Sequence, residues 1–106
     1  MSDNTRFQQA VSFLPLFAPR ADDLINRSLQ RYLAGDFKGC IQAAGEALRL
    51  NPNLAVAYNN MCASWNSLGE FNKAVLAGKR AVALNPDDTM AKNNLAVAKS
   101  HAGTGH

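Results

Sequence analysis

Apolar residues in this chain recur three and four positions apart over long stretches, with polar residues filling the intervals. Leu24, Ser28, Leu29 and Tyr32 form one such series; Phe37, Cys40, Ile41, Ala44, Ala47 and Leu48 form the next. This spacing turns one face of an α-helix toward neighbouring structure and the other toward water. Each series ends on the same punctuation. Gly35 and Gly69 supply a permissive backbone at the close of one helix, and Asp36 and Glu70 stand near the start of the next. Asn51-Pro52 and Asn85-Pro86 then stop that second helix, and Asn53 and Asp87 or Asp88 are placed to cap the one that follows. With turns of so few residues, consecutive helices must run antiparallel, as hairpins.

The series repeat. Sliding the chain by 34 residues sets Ala21 on Ala55, Asn26 on Asn60, Gly35 on Gly69, Phe37 on Phe71 and Leu50-Asn51-Pro52 on Leu84-Asn85-Pro86. A second slide sets Ala57, Asn59, Asn60 and Gly69 on Ala91, Asn93, Asn94 and Gly103. A fixed period of this length marks an array of stacked repeats. Residues 21–54 and 55–88 read as two full units, 89–102 as a capping helix and 103–106 as a frayed tail. In the cap, Ala91, Leu95 and Ala98 face inward while Lys92, Lys99 and Ser100 face water, as the last member of an array requires. Residues 1–20 lie outside the repeat. Phe7, Ala10, Val11 and Leu14 have the spacing of a short amphipathic helix ended by Pro15. Three roles stay open for it: a cap over the first unit, a linker, or a segment that inserts into a groove of this chain or of a second copy, so that residues 7–17 would drive self-association.

Composition narrows the function. The chain has 106 residues, 47% hydrophobic and 18% charged, which fits one small domain. Its net charge of +3 is spread from Arg6 to Lys99, the pattern of solvated helix surface and not of a nucleic-acid-binding stripe. Cys40 and Cys62 fall where helices pack closely and read as small buried hydrophobes, with a disulfide or a reactive thiol as the other readings. The stretch 10–18 is apolar, but its flanks do not suit a secretion signal, and no run is long enough to span a membrane. A cytoplasmic location is expected, or a periplasmic or membrane-associated one if the chain is part of a larger protein. His101 and His106 have no Cys, Asp or Glu at metal-ligand spacing, so no metal or cofactor is expected. No serine has a histidine within reach on any helix face, and no glycine-rich phosphate loop follows a strand. No catalysis is expected.

The chain resembles the tetratricopeptide repeat family over residues 21 to about 102. The second unit carries the likeness best: Tyr58, Cys62, Trp65, Gly69, Phe71, Ala74, Ala81 and Pro86 fall where that family has aromatic, small, aromatic, Gly, aromatic, Ala, Ala and Pro. In the first unit Arg27 and Arg31 stand where a leucine and an aromatic are usual, which implies that this side is exposed or covered by something unusual. The resemblance implies an all-α, right-handed superhelix of helix hairpins, about five helices plus the short N-terminal one. It also implies a module that binds a protein or peptide in a concave groove.

Asn26, Asn60 and Asn94, spaced by 34 and 34, occupy one place on three successive first helices, and Asn59 and Asn93 double the last two. An amide carries both donors and an acceptor, so such a ladder can hold the N–H and C=O groups of an extended peptide whatever its side chains. The other reading is local hydrogen bonding between helices. Ile25, Leu29, Tyr32, Ala63 and Val97 are expected on the same concave face. Family members that clamp acidic chaperone tails carry Lys, Asn, Asn, Lys and Arg where this chain has Ile25, Leu29, Asn60, Met90 and Asn94, so that specificity is not implied. The alternative to a peptide-binding module is a structural spacer or homo-oligomerising domain, such as the terminal part of a larger, membrane-associated, glycosyltransferase-like bacterial protein.

Overall fold

The computed structural model describes residues 19–103, whose helices are α1 (Ala21–Leu33), α2 (Phe37–Leu50), α3 (Ala55–Ser67), α4 (Phe71–Leu84) and α5 (Thr89–Ala102). The helix expected within residues 4–14, and the self-association expected of 7–17, fall outside the described residues.

The α1–α2 and α3–α4 turns are built alike. Gly35 and Gly69 take φ of 81° and 75°, a left-handed conformation that glycine adopts without a Cβ clash. Each turn then closes with two bonds onto the helix just ended. Gly35 N donates to Tyr32 O and Asp36 N to Arg31 O, and Gly69 N donates to Asn66 O and Glu70 N to Trp65 O. The Asp36 carboxylate accepts from Gly39 N at 2.9 Å, capping α2, and from Arg31 at 3.0 Å, tying the end of α1 to the start of α2. The Gly39 N–H first, and then Arg31, holds this carboxyl below its ordinary value.

Asp88 caps α5, accepting from Met90 N at 3.0 Å and Ala91 N at 3.3 Å. Asn53 does not cap α3. The residue before that helix is Leu54, and Asn53 N donates to Asn51 Oδ1 at 3.1 Å in a local turn around Pro52. Glu70 precedes α4, but its carboxylate reaches Lys73 at 3.4 Å and makes no cap hydrogen bond.

Small side chains line the interior. Among the described residues the largest that are fully buried are Cys40, Cys62, Ser28 and Ser64, with Ala44, Ala47, Ala57, Ala74, Ala81 and Ala98 beside them. Helix axes can therefore approach near the short end of the usual range, about 8 Å. Gly78 marks a close crossing: a Cβ there would lie 3.0 Å from both Cys62 Sγ and Leu95 Cδ1.

Beyond the hairpins, α1 touches α3 and α3 touches α5, whereas α2 and α4 are spread apart with little direct contact. First helices thus form a continuous row and second helices a splayed one. A stack joined this way bends toward the row in contact, so the concave side belongs to α1, α3 and α5. The cap helix at the end has Ala91, Leu95 and Ala98 buried and Lys92, Lys99 and Ser100 exposed. At the other end Arg27 and Arg31 are exposed, which explains why the first unit lacks the apolar pair at these positions.

Candidate peptide-binding face

Helix α3 is held on both sides and open on two others. Turning roughly 100° per residue, it presents Val56, Asn60 and Ala63 along one stripe and Tyr58, Met61 and Trp65 along the opposite one. The first stripe lies on the concave side, between the contacts to α1 and to α5.

The amides on this side work as cross-links. Asn60 Nδ2 donates to Ser28 Oγ on α1 at 3.3 Å, and Ser28 Oγ lies 3.2 Å from Cys40 Sγ on α2, which itself donates to Asn60 O at 3.6 Å. Asn94 Nδ2 donates to Asn59 Oδ1 at 2.9 Å, and Asn66 Nδ2 donates to Asn94 O at 3.0 Å, joining α5 to α3. Asn60 and Asn94 therefore use the same atom in the same way, each reaching back to the preceding first helix. Their acceptors differ because Ile25 stands in α1 where Asn59 stands in α3, and an isoleucine has no oxygen to offer.

Asn59, Asn60 and Asn94 thus make the local hydrogen bonds between helices that the second reading of the ladder expects. Asn59 is only 8% exposed with its oxygen occupied, so it serves chiefly to hold Asn94. Asn60 and Asn94 are half-buried, and among the described residues neither Oδ1 has a partner. Asn26 and Asn93 are exposed. Leu29 and Val97 are each 46% exposed and Val56 is 45% exposed, while Ile25, Tyr32 and Ala63 are half-buried. Tyr32 is also braced edge-on against Phe37 at 5.5 Å between ring centres. Asn66 adds to the seam, and its Oδ1 is buried without a partner among the described residues. Its place seven residues after Asn59, on the same helix face, is the signal in the sequence that points to it.

Among the described residues no group of three or more His, Cys, Asp or Glu could hold a metal ion, and no helix is long and apolar enough to cross a membrane. Both cysteines are buried and free.

Helix hairpins stacked through a close row of first helices define the tetratricopeptide-type array, and that is the fold of this chain. Among solved structures it is similar to the MamA protein in its crystal structure, with a TM-score of 0.74 and 23% sequence identity over 79% of this chain. The chain spans 46% of that protein's length. No protein-family model matches the sequence, and no curated protein matches it.

Proposed function

We propose that the chain is a protein-interaction module whose concave face grips an extended segment of a partner polypeptide through the amide ladder. The observation that carries this is the state of Asn60 and Asn94. One N–H of each is fixed to a neighbouring helix, which orients the amide, while the Oδ1 stays without a partner among the described residues. An acceptor held in place at no further entropic cost suits the backbone N–H of a bound strand. First helices packed about 8–10 Å apart would meet a strand rising about 3.3 Å per residue once every third residue. Leu29, Val56 and Val97, all substantially exposed, supply apolar contact between the amides.

A displayed peptide library selected on the full chain, followed by titration of the selected peptides against Asn26→Ala and Asn93→Ala, tests this reading. Both residues are exposed, so their removal leaves the helix seams intact. Loss of one backbone hydrogen bond, about 1 kcal/mol, lowers affinity about five-fold per variant. Unchanged affinity in both variants contradicts the reading. Failure to select any peptide, together with a mass that rises with concentration in light scattering, favours the homo-oligomer instead.

A further inference from the structure

The opposite side of α3 carries a second surface that the amide ladder does not use. Two neighbouring cavities of about 580 and 430 Å3 open there, sharing Trp65 and Lys73 as lining residues and so forming one groove. Its floor is Tyr58, Met61 and Trp65 from α3 and Leu68 just after it, all half-buried. Its walls are the splayed second helices, with Ile41 on α2 and Leu76 on α4. Leu76 is 68% exposed, although it stands in the middle of a helix.

The rim is basic. Lys73 Nζ lies 4.7 Å from the Trp65 ring centre and the Arg80 guanidinium 5.4 Å from that of Tyr58, so both cations sit over aromatic floor residues at the groove edge. Lys38 lines the α2 side. Against these three stands one carboxylate, Glu70, already paired with Lys73. The walls are helices whose backbone groups are bonded internally, and Gln42 is the one side-chain amide among the residues lining the two cavities, so the groove lacks the row of amides an extended strand would pair with. A helix, which satisfies its own backbone, needs only the apolar floor and charges at its flanks.

We propose that this groove is a docking site for an acidic amphipathic helix of a partner protein, its apolar face on Trp65, Met61 and Leu76 and its carboxylates toward Lys38, Lys73 and Arg80. Lys73 and Arg80 are seven residues apart on α4, about 10 Å, which matches two turns of such a helix.

Trp65 is the sole tryptophan of the chain and lies in the groove floor, so its emission reports occupancy directly. The probe is a synthetic helical peptide with leucine at positions 1, 4, 5 and 8 of about twelve and glutamate elsewhere, titrated into the 106-residue chain. A saturable blue shift of Trp65 emission and protection from acrylamide quenching are expected, weakening as salt rises. The same peptide with lysine in place of glutamate should bind at least about ten-fold more weakly. Lys73→Glu combined with Arg80→Glu should invert that preference, with circular dichroism confirming that the variant is folded; Asn26→Ala should leave it unchanged, which separates this groove from the concave face. The proposal is overturned if neither peptide shifts the emission, or if both bind equally. It is likewise overturned if Trp65 becomes exposed on dilution, as a second copy in the groove would require, or on removal of residues 1–18, as self-occupancy would.

Discussion

At the scale of single residues, the interior is decided by smallness. Cys62 is fully buried at the crossing of α3 with α4 and α5, where Gly78 leaves just enough room for its sulfur. Burial pushes its thiol from the ordinary 9.0 up to about 11, because the thiolate would lose its hydration there. The folded chain therefore keeps a proton that the unfolded chain has released between these values. Stability from this source is present below pH 9 and lost as pH rises toward 11. Denaturation midpoints measured across that interval should fall more steeply for the native chain than for Cys62→Ala; parallel slopes would contradict the account. That Cys40 and Cys62 are small core residues was legible from their places in the repeat. The Ser28–Cys40–Asn60 cluster was not, because which hydroxyl an amide chooses depends on a neighbour 32 residues away.

At the scale of the helices, the ends of α1 and α3 and the cap of α5 follow directly from Gly35, Gly69 and Asp88, since each needs only local chemistry. The start of α3 does not follow, because Asn51 captures the backbone of Asn53 and leaves Leu54 at the helix boundary. The aromatic stripe of α3 was legible as packing residues, and Met61 and Trp65 do pack on the core formed by Cys62, Ala74, Ala77 and Ala98. Their remaining exposure was hidden, because it arises from the separation of α2 and α4, a property of the stack and of no single helix. The close approach at Gly78 sets a test at this scale. Gly78→Val places branched carbon atoms where a Cβ alone already meets Cys62 and Leu95 at 3.0 Å. Overpacking of this kind costs about 1–3 kcal/mol, to be read as a lowered urea midpoint, with α5 losing amide-exchange protection first. A variant as stable as the parent would show that α4 has more room than its contacts imply.

At the scale of the whole molecule, one row of helices in contact and one row apart produce two unlike faces from a single repeat. The concave face carries amides and scattered aliphatic groups; the splayed face carries aromatic rings under cations. The array and its period could be read from the sequence, since a 34-residue slide needs no coordinates. The division of labour within the amide ladder could not. It depends on which atoms the helix seams consume, and the seams consume one N–H from Asn60 and one from Asn94 while leaving an oxygen of each.

Side-chain amide resonances followed by NMR during titration with a selected peptide test that claim most directly. The account predicts that the amide protons of Asn26, Asn60 and Asn94 shift together and saturate at one peptide concentration, and that they still do so when every peptide side chain except the apolar anchor is changed to alanine. Shifts confined to the Trp65 indole N–H and α4, with the three asparagine amides unmoved, would contradict it.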